Sequence, residues 1–298
     1  MVCGDVVNDV LVKPLDGVTP GSDTPSAIRA CPGGSAANQA AWMAHLGTEV
    51  VFAGRAGAAD AEYHRRELAR AGVSAYLAAD QEAGTGSIVI MVARDGERTM
   101  FTDRGANLRL RRSDVPSGLL DDAAALHLTG YTFCEPPLLE VALSLLDEAR
   151  SRELAVTIDP GSAAFLARLA PGAFLRWTEG AAVCFPNLDE AAVLTGESDP
   201  VAMAAALTRH YGAVVLKLGA GGCVLAVPGE APVRIAAYPA DVTDTTGAGD
   251  AFCGAFLHRW LSGTQDGPAI GVRALVAAAE FAVRIAATVV TRFGARPV

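Results

Sequence analysis

Asp241-Val-Thr-Asp-Thr-Thr-Gly-Ala-Gly-Asp-Ala-Phe-Cys-Gly-Ala-Phe256 begins polar, passes two glycines, and runs into small and apolar residues at helical spacing: Phe252, Ala255, Phe256 and, further on, Trp260. Gly247 and Gly249 allow backbone turns closed to other residues and let a ligand approach the main chain. A helix starting near Asp250 leaves the amides of Gly247, Ala248, Gly249 and Asp250 without helical partners, free to converge on an anion. Asp250 then has two readings. It is a preferred type of helix cap, or it takes the proton from a hydroxyl that attacks a phosphoryl group held by those same amides.

The rest of the composition limits the chemistry. A chain of 298 residues with 51% hydrophobic content buries a large core and suits one α/β domain or two smaller ones. A net charge of −9 without a basic run disfavours a nucleic-acid partner. Residues 274–290 are strongly apolar, but Glu280 and Arg284 interrupt them, so no membrane span is expected. Met1 to Asp5 does not read as a signal peptide, and a cytoplasmic location follows. Cys3, Cys31, Cys134, Cys184, Cys223 and Cys253 form no CxxC pair and no Cys/His grouping, which argues for reduced thiols rather than zinc. The only lysines, Lys13 and Lys217, stand against 22 arginines, and no Walker A loop occurs. Lys217 lies in the strand-like Val214-Val-Leu-Lys-Leu218 and is a poor Schiff-base candidate. A phosphate would have to be held by amides, a metal and arginine.

Along the chain, Val2 to Val12 reads as a first strand ending in Asn8-Asp9, at the edge where open α/β sheets bind ligands; a simple turn there suits those residues equally. Lys13 to Arg29 reads as an exposed excursion. Gly33-Gly34 leads into an Ala-rich helix bearing Asn38 and ending at Gly47. Val50 to Gly54 reads as a strand and Asp60 to Ala71 as an exposed helix. Gly86 to Thr102 reads as two strands joined through Arg94-Asp-Gly-Glu97. Lid segments of approximately 10–32 and 84–104 would together make a small β layer beside the main sheet. From about Ala123 strand and helix patterns alternate, predicting βαβ units and a mostly parallel sheet. Asn187-Leu-Asp-Glu190 reads as ordinary helix capping. Gly219-Ala-Gly-Gly222 reads as a tight turn. Neither it nor Gly247 to Phe252 has the GxGxxG spacing of a nicotinamide fold.

Together, Gly33-Gly-Ser-Ala-Ala-Asn-Gln-Ala and Asp244-Thr-Thr-Gly-Ala-Gly-Asp-Ala-Phe resemble the two signatures of the ribokinase (PfkB) family of carbohydrate and nucleoside kinases. Asn187-Leu-Asp-Glu190 is similar to that family's NxxE motif, and Leu218-Gly-Ala-Gly-Gly222 to its nucleotide-binding turn. The four matches come in family order across nearly the whole chain. The resemblance implies an α/β fold, a three-layer α/β/α sandwich with a β-sheet lid, as one domain over 1–298. It implies ATP as donor and Mg2+ as helper. Asp250 would be the catalytic base, with Gly247, Ala248, Gly249 and Asp250 as the anion hole. Asn187 and Glu190 would position the Mg2+-bound phosphates through water, and Lys217, Gly219, Gly221, Gly222 and Thr246 would line the nucleotide. Asp9, Gly34 and Asn38 would grip the acceptor hydroxyls. Some family members hold a monovalent cation; Asp244 and Thr246 match such a K+ site, and Val289, Arg292 and Gly294 could supply carbonyls to it. Lids in the family often pair, so a homodimer through the lid is an expectation.

Three departures bear on the acceptor. Val7 stands where ribokinases carry Asn, Ser35-Ala36 where they carry Lys-Gly, and His127-Leu-Thr-Gly-Tyr131 runs where they have a Glu. Each removes a polar contact to a free sugar. A sugar kinase of other specificity leads, followed by a nucleoside kinase of the same family and a non-catalytic sensor that keeps the fold.

Overall fold

The computed structural model describes residues 1–92, 98–262, 271–292 and 294–297. In chain order the strands and helices are β1 (Val2–Cys3), β2 (Val7–Pro14), β3 (Ser26–Gly33), α1 (Ser35–His45), β4 (Val50–Gly57), α2 (Ala61–Arg70), β5 (Val73–Asp80), β6 (Thr85–Val92) and β7 (Arg98–Gly105). Then come β8 (Ala125–Thr129), α3 (Pro136–Ser151), β9 (Ala155–Asp159), α4 (Ala163–Leu166), α5 (Pro171–Thr178), β10 (Val183–Cys184), α6 (Leu188–Thr195) and α7 (Pro200–Leu207). The chain ends with β11 (Val214–Lys217), β12 (Cys223–Ala226), β13 (Val233–Ile235), α8 (Ala248–Leu261) and α9 (Val272–Val289).

A 9-stranded sheet has the order β13-β12-β11-β10-β9-β8-β1-β4-β5. It is parallel from β11 to β5, and β12 and β13 join antiparallel. Alternation along the strands divides the core between two faces. Leu126, Leu128, Ile158, Val214 and Leu216 pack with Val141, Leu145, Leu194 and Leu207 of α3, α6 and α7. Val183, Val215 and Leu225 pack with Ala37, Phe252, Phe256 and Leu275 of α1, α8 and α9. This is the three-layer α/β/α arrangement. Strand order runs outward from β1 in both directions, through β4 and β5 on one side and β8 to β11 on the other. The C-terminal strand ends beside β1 are therefore a topological switch point, where such sheets bind ligands.

The second sheet has 4 strands in the order β3-β2-β6-β7. It contains the excursion and the two strands read from Gly86 to Thr102; the expected turn, Arg94-Asp-Gly-Glu97, lies outside the described residues. The single first strand read over Val2 to Val12 is two strands. Gly4 passes so close to α1 that a Cβ there would lie 2.5 Å from Ala36 Cβ. Asp5 then turns its carboxylate onto the amides of Ser35 and Ala36 at 3.2 and 3.1 Å. Asp5 thereby caps a helix whose own N-cap, Gly34, has no side chain to do so. Asn8 and Asp9 consequently sit on β2 in the small sheet, not at the end of a main-sheet strand. Edge strand β5 has no signal in the sequence reading, since Val73-Ser-Ala-Tyr-Leu-Ala-Ala-Asp80 is buried only at Val73, Leu77 and Asp80.

Helices α1 and α8 cross at Gly254, where a Cβ would lie 2.6 Å from Trp42 Cβ and 2.8 Å from Gln39 O. Gly254→Ala is expected to destabilise the fold by about 1–3 kcal/mol through overpacking, outweighing the gain in helix propensity of about 1 kcal/mol. A melting temperature equal to or above that of the parent would contradict this.

Candidate functional site

Gly247 opens α8 with φ +75, and Ala295 packs so closely that a Cβ on Gly247 would lie 2.4 Å from Ala295 Cβ. Only glycine suits both conditions. The amides of Gly247, Gly249 and Asp250 have no partner among the described residues, whereas Ala248 N donates to Thr245 O at 3.3 Å. The helix start therefore offers three fully free N–H groups rather than the expected four.

Asp250 turns its carboxyl group away from this cluster, toward α1. Oδ1 accepts from Ser35 Oγ at 2.8 Å and Gln39 Nε2 at 3.1 Å, and Oδ2 accepts from Asn38 Nδ2 at 3.0 Å. Burial pushes its pKa up to about 6, with Asp159 adding to the rise, against the lowering effect of those three donors. The residue is partly exposed, yet its carboxyl group is surrounded by protein. Such a carboxylate is ionised near neutral pH and basic enough to take a proton.

The three other acceptor candidates lie on the same side. The Asp9 carboxyl rests over Gly33, where a Cβ would lie 2.2 Å from its Oδ2. Burial, with Asp250 and Asp5 nearby, pushes Asp9 up to about 7, while Arg296 pulls the other way. Gly34 has φ +98 and leaves no room for a side chain against Asp5 O. Asn38 is buried and also accepts from Arg296 Nε at 3.1 Å.

On the opposite side of Asp250, the Lys217 ammonium is 2.9 Å from Asp159 Oδ2, and a Cβ on Gly249 would lie 3.8 Å from Lys217 Nζ. Burial opposes the Lys217 charge, but Asp159, Cys253 and Glu190 hold its pKa well above the ordinary lysine value. Lys217, Gly219, Gly222 and Gly249 line a cavity of about 530 Å3. Its walls also include Tyr238, Pro239, Val242, Val283, Ala286 and Val290, none of which the sequence reading singled out. They come from the segment after β13 and one face of α9, and meet only in the folded chain. Gly221 lies at the same turn but outside the cavity lining.

Asn187 and Glu190 form a closed capping box at the start of α6. Glu190 N donates to Asn187 Oδ1, while Asn187 N and Nδ2 donate to the two Glu190 oxygens at 2.9 and 2.7 Å. Glu190 is 1% exposed, and burial pushes its pKa up to about 7. The capping read from the sequence is thus present in the fold. Asp244, Thr246, Val289, Arg292 and Gly294 converge beneath α8. Asp244 Oδ1 accepts from Thr246 N at 2.9 Å and Oγ1 at 2.7 Å, and its Oδ2 accepts from Gly294 N at 3.4 Å. Val289 O accepts from Arg292 N at 3.2 Å, and the Arg292 guanidinium lies 5.5 Å from the Trp42 ring centroid. Among the described residues no group of three or more His, Cys, Asp or Glu could hold a metal ion, and no helix is long and apolar enough to cross a membrane.

Two further residues complete the site: His127, which lies in no motif, and Gln39, which lies in the first signature but was given no role there. His127 is buried, and burial lowers its pKa to about 4, so it is neutral. Its Nε2 meets Gln39 Oε1 and its Nδ1 is 2.8 Å from Thr157 Oγ1. Gln39 Nε2 in turn bridges Asp250 and Asp159. Only the parity of β8 and the helical phase of α1 bring this pair together, and neither can be read from a local motif.

The match to known proteins has the same extent as this geometry. A family model described as pfkB family carbohydrate kinase matches residues 1–298. Ribokinase from Mus musculus is 30% identical over 233 residues, covering 75% of this chain and 69% of that protein. Adenosine kinase from Sinorhizobium meliloti superposes with a TM-score of 0.87 at 23% identity, covering 99% of this chain and 94% of that one. Arabidopsis thaliana ribokinase, solved with ribose and ATP, does so with a TM-score of 0.78 at 25% identity, covering 99% and 93%. With its two glycine-led helices meeting at one carboxylate and a family match over its whole length, the chain belongs to the pfkB family of carbohydrate kinases.

Proposed function

We propose that this protein transfers the terminal phosphoryl group of ATP to a primary hydroxyl of a small sugar. The observation that carries this reading is the position of Asp250. It stands beside free amides of a helix start, with an apolar cavity on one side and the buried carboxyl of Asp9 and amide of Asn38 on the other. The cavity suits an adenine ring, with Gly219, Gly221 and Gly222 along the nucleotide. Lys217 and the amides of Gly247 and Gly249 face the transferring phosphate, and Ala248 adds to them once its long bond to Thr245 opens. Asp9, Gly34 and Asn38 hold the acceptor diol. Asp250 takes the hydroxyl proton as the bond to phosphorus forms, and positioning with charge stabilisation does most of the rest.

Asn187 and Glu190 fit Mg2+ at one remove, because both Glu190 oxygens already accept from Asn187. A cation that keeps its waters and rides on phosphates suits a buried carboxylate of this kind. When bound, it neutralises phosphate charge. The small sheet serves as a lid over the acceptor.

The decisive measurement is ADP release from ATP–Mg2+ with a panel of sugars and nucleosides, run beside Asp250→Asn. Turnover with a sugar is expected, falling about 10²- to 10⁴-fold in the variant while nucleotide binding persists. In the parent, kcat/KM should fall as pH drops below about 6, where Asp250 becomes protonated. Near-normal turnover in the variant would overturn the base assignment. Turnover with nucleosides alone would make this a nucleoside kinase, and binding without any turnover a sensor.

Asp244 offers a buried carboxylate, and with the carbonyls of Thr246, Val289, Arg292 and Gly294 it would make an oxygen donor set of the kind that K+ takes. Activity should be higher in potassium than in tetramethylammonium buffer; equal rates would remove the cation from the mechanism.

The register of the small sheet puts Val10, Ala30, Val89 and Phe101 in one row and Val12, Ile28 and Met91 beside it on the same face. Asp9 points to the other face. Ile28 is 67% exposed and Phe101 57% exposed, so this outer face suits a second copy of the chain. Light scattering should give twice the chain mass, reverting to one in Phe101→Asp. A monomeric parent at micromolar concentration would rule the dimer out.

A further inference from the structure

Both ends of the Asn38 carboxamide are committed. Nδ2 donates to Asp250 Oδ2 at 3.0 Å, and Oδ1 accepts from Arg296 Nε at 3.1 Å. Turning the amide over would set its oxygen against the Asp250 carboxylate and its NH2 against the guanidinium. Arg296 therefore admits one orientation only. It is itself anchored, because Nη2 donates to Gly33 O at 2.9 Å. The chain leading to it is seated as well: Ala295 O accepts from Trp42 Nε1 at 2.8 Å and Gly294 N donates to Asp244 Oδ2. Meanwhile Nη1 is shielded from solvent and has no hydrogen-bond partner among the described residues. A buried guanidinium with an unmet N–H destabilises a fold, so stability alone is a poor account of this arginine. What its bonds accomplish is to fix Asn38 and the Gly33-Gly34 turn, two parts of the acceptor half of the site.

We propose that Arg296 is a positioning residue: it locks the Asn38 carboxamide with Nδ2 toward Asp250, and so holds the Asp250 carboxylate in place from the acceptor side. The catalytic consequence rests on Asp250 being the base, but the amide geometry does not. The charged and titratable groups around Asp250 are Asp9 on β2, Asp159 on β9 with its partner Lys217 on β11, and Cys253 on α8 itself. Among the described residues none of them contacts the Asn38 oxygen, which accepts from Arg296 and keeps a second lone pair for the acceptor.

The chain has four asparagines, Asn8, Asn38, Asn107 and Asn187. Labelling asparagine with 15N gives four side-chain amide groups by NMR, and Asn38→Ala identifies one by its loss. In the parent the Asn38 pair should shift with pH as Asp250 titrates, and in Asp250→Asn that titration should vanish. In Arg296→Met the Asn38 pair should lose its distinct position, and the acid limb of kcat/KM should move to higher pH, through the lost donor to Asp250 and the lost charge beside Asp9. On an Asn38→Ala background, Arg296→Met should cost less kcat than it does in the parent, because only the bond to Gly33 O remains to be lost. Unmoved Asn38 resonances in Arg296→Met, or a full additional loss on Asn38→Ala, would overturn the proposal. Retained turnover in Asp250→Asn with a moved Asn38 amide in Arg296→Met would instead sink the base reading and leave the positioning role intact. If the Met variant does not fold, Arg296→Lys carries the same test, since a single ammonium lacks the planar fork whose Nε and Nη2 reach Asn38 and Gly33 separately.

Discussion

Helices α1 and α8 touch at Gly254 with no side chain between them, and the chemistry around Asp250 depends on that contact. With Gln39 O and Trp42 Cβ against the bare α-carbon, the first turns of the two helices come within hydrogen-bond reach. Ser35, Asn38 and Gln39 can then all bond one carboxylate. The start of α1 is fixed in turn by Asp5, which arrives from the break between the two sheets and caps a helix it does not belong to. One residue thus ties the end of β1, the root of the small sheet and the helix that carries Ser35, Asn38 and Gln39.

Five carboxylates gather near this junction, Asp5, Asp9, Asp159, Glu190 and Asp250, and every one is at least partly buried. Burial raises the cost of each charge, and their proximity raises it further. The fold answers unevenly. Asp159 is held below its ordinary pKa, despite complete burial, by Lys217, and Asp5 by geometry faces two helix amides and Arg104. Asp9, Glu190 and Asp250 are left elevated. Uneven treatment of neighbouring carboxylates is how one site keeps a fixed counter-charge beside a group that exchanges protons.

Legibility in the sequence followed the range of the interaction. The turn at Gly247 to Asp250, the capping box at Asn187 and Glu190, and the strand–helix alternation are local, so spacing alone exposed them. The split of β1 from β2 was hidden, because it depends on Asp5 reaching 30 residues ahead to cap α1. The cavity walls at Tyr238, Val242 and Ala286 were hidden for the same reason, since loop and helix face acquire a common purpose only on folding. His127 shows the limit most sharply. Its place was noticed as one where a polar contact to substrate is missing, whereas in the fold the ring points into the core and serves Gln39.

That service has a direction. Gln39 Nε2 faces carboxylates of Asp159 and Asp250, which only accept, so its NH2 must lie there and its oxygen must face His127. His127, neutral by burial, then carries its proton on Nε2 and accepts from Thr157 at Nδ1. Asn38 repeats the scheme one residue earlier on α1, with Arg296 in the role of His127. A carboxamide is ambivalent, presenting donor or acceptor as it turns, and two adjacent ones could orient a carboxylate wrongly as easily as rightly. Each is made unambiguous by a donor behind it, one from the sheet core and one from the end of the chain. Since Asp159 also holds Lys217, the Gln39 amide joins the lysine side of the site to Asp250. The order of Asp250 is therefore set less by its own helix than by two distant residues that never touch it.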